Sequence, residues 1–382
     1  MDHYFADFHI HIGRTKSKKA VKITGARSLT LDAIIEEAAY VKGLDIIGII
    51  DCHVPEIIKE IEQSIHRFAA VELPEGGIRF FDRITLFLGS EIEINDSHCK
   101  GPIHVLVFLP DLLKMKHFSE WLSDRMTNVS LSSQRVYGSG KTLQNLVKEW
   151  GGLFIPAHVF TPFKSLYGKG VSTSLEEVFD PDFIDAIELG LSSDTAMADQ
   201  IRELHRYPYL SNSDAHSLSK IAREFQKLTM KYPTFREFKL ALQEKNGRQI
   251  SANYGLNPML GRYYRTICRT CFFVRDSSQP ECPNCGHQQW IKGVYERIQE
   301  LKNAATAKER PPYIHQVPLE YIPGIGPKSM HRLRKAFQTE MNILHHVTYE
   351  ALKEVIPEKT ARMIIQAREG KLFIQAGGGG KY

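Results

Sequence analysis

Through residues 1–256, short apolar runs alternate with stretches whose apolar positions recur every three or four residues, the pattern of successive strand–helix units. Phe5–Ile10 reads as a strand. Leu31–Lys42 has helical spacing and is closed by Gly43. Asp45–Ile50 (Asp-Ile-Ile-Gly-Ile-Ile) reads as a buried strand, Pro55–Phe68 as a helix, and Ile84–Gly89 as a strand running out toward Glu91. The spacing then predicts a strand over Ile103–Leu109, helices over Asp111–Leu122 and Thr142–Glu149, and strands over Gly152–Ile155, Ile184–Leu189 and Tyr209–Ser211. Strands separated by helices imply a parallel β/α architecture, and barrels of that kind place their functional residues at the C-terminal ends of the strands.

The pattern changes near Asn257-Pro258. Residues 257–295 hold a four-cysteine segment too small to bury a core without a metal. Residues 296–312 read as a polar helical linker broken by Pro311-Pro312, and 313–382 as short helices joined by tight Gly/Pro turns. The run Gly377–Gly380 followed by Lys381-Tyr382 reads as a flexible end.

Composition narrows the class. The chain is 42% hydrophobic and 24% charged, ordinary for a globular protein with a sizeable core. No stretch approaches 18 uninterrupted apolar residues, and Met1-Asp2-His3-Tyr4 leads straight into a strand, so the expectation is a cytoplasmic protein with no membrane partner. Four of the six cysteines form Cys268-x2-Cys271-x10-Cys282-x2-Cys285, paired knuckles with the spacing of a structural zinc site. The formal net charge of +5 is uneven: residues 257–382 carry 19 Lys/Arg against 11 Asp/Glu, while the rest carries 30 against 33. A basic C-terminal third on a near-neutral body points to a polyanionic partner.

The chemistry sits at the ends of the expected strands. Asp7-Phe8-His9-Ile10-His11 puts His9 and His11 on one face, because strand side chains alternate. Asp51-Cys52-His53, Glu91, His104, Pro156-Ala157-His158 and Ser213-Asp214-Ala215-His216 follow at later strand ends. Imidazoles and carboxylates brought to one rim can hold several cations, with Zn, Mn, Mg and Fe all open. Paired cations clamp a phosphoryl oxygen, acidify water and stabilise a leaving oxygen, and so dispense with a side-chain nucleophile. Glu188 and Asp194 read as carboxylates orienting a ligating imidazole, and His98 and Cys99 as possible but unneeded ligands. Arg14, Lys16, Lys18 and Lys19 follow the first ligands and could meet substrate phosphates. Tyr137, Phe160, Phe163 and Tyr167 could stack on a base or simply pack a core.

In the tail, Ile322-Pro323-Gly324-Ile325-Gly326-Pro327-Lys328 before an amphipathic helix resembles a helix-hairpin-helix. There Gly324 and Gly326 would let backbone amides approach a DNA phosphate, with Lys328, Arg332 and Arg334 adding charge. A second, degenerate unit follows over Leu344–Ile356 and Thr360–Arg368. Arg265, Arg269, Arg275 and Phe272-Phe273 of the cysteine segment could also face nucleic acid.

The rim motifs resemble those of the PHP (polymerase and histidinol phosphatase) family, which implies a distorted (β/α)7 barrel with two or three divalent cations that hydrolyses phosphate esters. By that resemblance His9, His11, Glu91 and Asp214 hold a first metal and form the catalytic group. Glu91 bridges to a second metal completed by His104 and His158, and His53 and His216 serve a third. Two departures bear on the third: no ligand follows the first motif in Arg14–Lys19, and Cys52 is inserted in the second, so that Asp51 or Cys52 could substitute there. Barrel, cysteine module and hairpins together resemble the endonuclease Q family. That resemblance implies a metal-dependent endonuclease acting on double-stranded DNA with damaged bases. It would cut 5′ to uracil, hypoxanthine, xanthine or an abasic site and leave a 3′-hydroxyl and a 5′-phosphate. A 3′–5′ exonuclease and a small-molecule phosphoesterase would share the metal centre, and a non-catalytic, helicase-associated DNA binder would share the hairpins.

Overall fold

The computed structural model describes residues 1–67, 69–275 and 280–372. Phe68, expected to close a helix, and the glycine-rich end at 377–382 lie outside them. Strands β1 (Asp2–Ile10), β2 (Ile46–Ile49), the hairpin β3 (Ala70–Glu72) and β4 (Ile78–Phe80), β5 (Ile84–Ile94) and β6 (Ile103–Leu109) come first. They are followed by β7 (Leu153–Pro156), β8 (Ile187–Glu188), β9 (Tyr209–Leu210), β10 (Phe225–Met230) and β11 (Gln249–Gly255).

The barrel wall runs β1–β2–β5–β6–β7, with β8 and β9 paired to each other. Val159 N–H donates to Glu188 O (3.0 Å) and joins β7 to β8, and a parallel bridge between Ile10 and Ala215 returns the wall to β1. The expected all-parallel wall is instead mixed: β1, β2 and β5 are parallel, whereas β6 runs antiparallel to both β5 and β7. The reason lies in the β5–β6 connection. Only the residues between Ile94 and Ile103 separate the two strands, with no helix to carry a parallel crossover. Reversal of β6 brings its first residues, and His104 with them, to the rim where the other strands end.

The lumen is packed rather than hollow. Phe8, Phe87 and Phe108 fill it, and Phe238 from the helix Phe235–Leu242 closes the lower end, its ring 4.4 Å from that of Phe8. Gly48 and Gly89 make room for Phe108, since a Cβ on either would stand within 2.8 Å of its ring. Helices Pro55–His66, Leu112–Ser123 and Gly140–Glu149 cover the outside. Asp111 and Ser139 cap the last two by accepting from Lys114 and Thr142 N–H.

The cysteine segment forms the small ladder β12 (Ile267–Cys268) with β13 (Trp290–Ile291). The linker helix is shorter than expected, Val294–Leu301, because Lys302-Asn303 turns back and Asn303 N–H donates to Gln200 O (3.0 Å) on the barrel. Tyr313–His315, read from sequence as the start of the hairpin unit, is strand β14 and pairs in parallel with β11. The helices Pro327–Phe337, Glu340–His345, Tyr349–Val355 and Glu358–Arg368 then enclose a separate core around Leu333, Leu352 and Ile364. This unit is docked on the barrel by the buried ion pair Lys42–Glu340 (2.9 Å) and by His345 stacked on Phe5 (5.0 Å). Among the described residues no helix is long and apolar enough to cross a membrane.

Candidate metal centre

Two hydrogen bonds fix the first ligand pair beside the last. His11 N–H donates to Ala215 O (3.2 Å) and Ala215 N–H to His9 O (3.1 Å), which sets the end of β1 against the Asp214-Ala215-His216 segment. Asp7 locks the join from below, accepting from Ser213 N–H (3.1 Å) and Ala222 N–H (3.0 Å). The side chains then converge. Nε2 of His9 and of His11 lie 3.5 and 3.6 Å from Asp214 Oδ1, and 3.5 and 3.6 Å from the two oxygens of Glu91. Glu91 Oε1 also meets His104 Nδ1 (2.8 Å) and His158 Nε2 (3.3 Å).

These side chains form two groups able to hold an ion, His9–His11–Asp214 and Glu91–His104–His158, with Glu91 reaching between them. A cation fits the donor set. Nε2 of His9 and of His11 are buried without a hydrogen-bond partner, although both face carboxylate oxygens, and in the second group His104 Nδ1 and His158 Nε2 face Glu91 Oε1. The Nδ1 atoms of His9 and His11 are oriented from outside: His9 Nδ1–H donates to Glu188 Oε1 (2.9 Å), and His11 Nδ1 meets Asp51 Oδ2 (3.2 Å) and Ser132 Oγ (3.1 Å). Asp214 and His158 both have left-handed backbones (φ 45° and 33°), a strained conformation for residues with a side chain that clusters at functional sites.

The electrostatics favour a positive charge. Burial alone would push His9 down, but the carboxylates of Glu188, Asp214 and Glu91 override it and raise the imidazole to about 10. Burial would likewise raise Asp214 and Glu91, yet His9 beside the former and His104 and Lys22 beside the latter hold both well below the usual carboxylate range. A cation that binds His9 Nε2 must therefore displace a proton up to about pH 10. Titration of metal-depleted protein with Mn at pH 7 is expected to release about one proton per protein molecule from this residue as the first group fills, with affinity there rising as pH increases from 6 toward 9. Calorimetry in buffers of different ionisation heat measures the release, and a pH-independent affinity would exclude His9 as a ligand.

The expected third site does not assemble in the same way. His216 lies at the edge of the first group, its Nε2 3.3 Å from Asp214 Oδ1. His53 falls in neither group; its Nδ1 meets Ser90 Oγ (3.1 Å) and its Nε2 is buried without a hydrogen-bond partner. Cys52 is buried with its thiol donating to Ile49 O (3.1 Å), and Asp51 is committed to Ile12 N–H (2.7 Å) and His11. His98 pairs with Asp96, and Asp194 caps the short helix Thr195–Ala198. Of the basic residues after the first motif, Lys16 pairs with Asp32 and Lys19 with Glu56, while Lys22 reaches Glu91 (3.3 Å), a contact that spacing did not suggest.

A cavity of ≈ 660 Å³ opens over both groups. Phe163, Leu191, Leu260 and Tyr263 give it an apolar wall, and Tyr321 of the hairpin unit reaches its edge. Phe163 and Tyr263 meet edge to face with centroids 5.4 Å apart. Phe160 and Tyr167 are core residues stacked on each other, and Tyr137 is exposed but not on this wall.

The four cysteine sulfurs lie within 4.8 Å of one another and match a structural zinc site. The Asn284 side chain and the Phe273 backbone bring the Cys271 thiol down to about 6. Chelation of this zinc, or Cys271→Ser, is expected to unfold residues 262–275 and 280–292 and leave the barrel folded, because such modules draw on the order of 10 kcal/mol of folding energy from the metal. Hydrogen exchange should show lost protection there with the barrel strands unchanged. In the hairpin unit, Lys328 and Arg332 are exposed, whereas Arg334 is half-buried and ion-paired with Glu340.

A mixed-strand barrel with paired imidazole–carboxylate groups at one rim is the architecture of PHP-type phosphoesterases. No family model matches the chain. It is 55% identical to the uncharacterized protein YqxK of Bacillus subtilis (strain 168), over all of this chain and 99% of that one. It is also 31% identical to the lesion-specific endonuclease PfuEndoQ of Pyrococcus furiosus, with a TM-score of 0.84 over 100% of this chain and 94% of that chain. An endonuclease Q in complex with a 27-mer duplex substrate carrying an abasic lesion at its active site matches with 31% identity and a TM-score of 0.83, over 100% of this chain and 95% of that one. The chain belongs to the endonuclease Q family of the PHP superfamily.

Proposed function

We propose that this protein is a metal-dependent DNA endonuclease that cuts the phosphodiester on the 5′ side of a deaminated base or an abasic site. The products carry a 3′-hydroxyl and a 5′-phosphate. The observation that carries this reading is the cavity that joins both metal-ligand groups to an apolar wall of Phe163, Leu260 and Tyr263 and to Tyr321 of the hairpin unit. One chamber thus offers the hydrolytic centre, room within the ~300–1,000 Å³ range of ligand sites, and a junction with the DNA-holding unit.

Cations bound by the two groups would supply Lewis acidity toward a phosphoryl oxygen and an acidified water. The chain's own residues do the rest. Glu188 and Asp51 fix the rings of His9 and His11 with Nε2 facing inward, and Glu91 spans the two groups. The apolar wall takes the extruded nucleotide, which leaves the duplex at lower cost when it pairs badly or lacks a base. The exposed basic face of Lys328 and Arg332 holds the backbone without reading sequence.

The deciding measurement is nicking of duplexes that differ by a single uracil, hypoxanthine or abasic site, with Mg or Mn present. The expected result is one cut 5′ to the lesion, an end that polymerase extends, and nicking of closed circular DNA. Digestion confined to free ends would instead favour an exonuclease.

A further inference from the structure

Lys22 brings a fixed positive charge into the metal centre on a tightly built segment. Val21 N–H donates to Gly13 O (3.1 Å) and Lys22 N–H to Ile12 O (2.9 Å), so the segment folds back along the end of β1. Gly13 permits this fold, since a Cβ there would stand 2.0 Å from Ala26 O. The Lys22 side chain is only 15% exposed, with Nζ 2.6 Å from Ser133 Oγ and 3.3 Å from Glu91 Oε2, and it lines the cavity. Two residues on, Thr24 Oγ1 lies 3.2 Å from His216 Nδ1, so alternate positions of the segment face the rim. Other cations around the cavity are engaged elsewhere: Lys164 with Glu93 (2.9 Å), Arg223 with Ser213 O (2.7 Å), and Arg262 over the Phe272 ring (5.1 Å).

An ammonium beside a carboxylate that serves two divalent cations is repelled by both and weakens their binding. That placement is favourable only if an anion comes between the charges. We propose that Lys22 is a catalytic residue that binds the scissile phosphate: when cations load, its ammonium leaves Glu91 for a non-bridging phosphoryl oxygen. There it offsets the charge that grows on that oxygen as the bond to the leaving 3′-oxygen breaks. The inference rests on the phosphodiesterase reading above.

Wild type, Lys22→Met and Lys22→Arg are compared in three measurements. Titration with Mn in the absence of DNA should show the Met variant binding about threefold tighter or more, since a repulsive charge is gone. Inorganic phosphate should bind the Mn-loaded Met variant at least about tenfold more weakly, and the Arg variant within about threefold of wild type. Nicking of an abasic duplex should lose about 10²–10³-fold in kcat in the Met variant, a larger factor than any rise in KM, and Arg should recover about a tenth or more. Unchanged phosphate affinity in the Met variant, or weaker Mn binding, would overturn the assignment. If wild type nicks no lesion duplex, the phosphodiesterase reading fails while the Mn and phosphate titrations still decide the role of Lys22. If the Met variant does not fold, Lys22→Gln takes its place in the same titrations.

Discussion

Asp214→Asn is expected to lower nicking of a lesion duplex by about 10³-fold or more while leaving duplex affinity within about threefold of wild type. The amide keeps one oxygen and puts a nitrogen where the other stood, so the change removes charge while nearly keeping shape. The choice of Asn matters. Asp214 has φ 45°, a region that Asn tolerates better than Ala, so an alanine variant would mix lost ligation with backbone strain. Asp214 Oδ1 stands within 3.6 Å of three imidazoles, those of His9, His11 and His216, and is the carboxylate oxygen that completes the first group. An amide there cannot neutralise a divalent cation, and a loss of metal measured alongside the loss of cutting would tie the two together. The face proposed to hold DNA lies on a separate unit with its own core, which is why binding should survive. Retained cutting in the Asn variant would remove Asp214 from the hydrolytic centre.

How far the centre could be read from sequence depended on whether its geometry was local. His9 and His11 were legible because alternation along one strand fixes which way they face. Asp214 and His216 were legible from their motif beyond the end of β9, where Asp214 has a left-handed backbone and alternation no longer applies, and Glu188 because it closes a strand at the same rim. Glu91 was found for a partly mistaken reason. Gly89-Ser90 looks like a strand end, but β5 runs on to Ile94, and Glu91 sits mid-strand opposite Leu106. His104 stands near the start of β6 and reaches the rim only because that strand is reversed, a property of pairing that hydrophobic periodicity does not encode. His53 is intermediate: the motif is present and its Nε2 is buried without a hydrogen-bond partner, yet Cys52 is buried beside it, Nδ1 meets Ser90, and the ring falls in neither group. Lys22 was overlooked in favour of nearer basic residues because its position depends on a fold-back closed by main-chain hydrogen bonds to Ile12 and Gly13.

Gly326→Val is expected to weaken duplex binding by about tenfold or more, equally for damaged and undamaged DNA, with no loss of thermal stability. Sequence alone treats Gly324 and Gly326 as equivalent, but the structure separates them. Gly324 has φ +91°, and a Cβ there would meet Thr360 Oγ1 at 2.6 Å on the helix Glu358–Arg368. Valine at 324 would therefore strain the backbone and push the two hairpin units apart, lowering stability whatever its effect on DNA. Gly326 has φ −93° and ψ −178°, extended backbone open to any residue, and a Cβ there would meet nothing within 4 Å. It stands at the head of the helix Pro327–Phe337, whose first turn has no side-chain cap, so the amides there remain open to an anion. A branched side chain at 326 occupies the space a phosphate would use and leaves the protein's own packing untouched. Lys328→Ala provides the electrostatic counterpart: the slope of log affinity against log salt should fall by about 0.9, one phosphate contact, without a change in lesion preference. Anisotropy titrations across a salt series measure both effects. A Gly326→Val protein that binds duplex as tightly as wild type would mean that the backbone is gripped elsewhere.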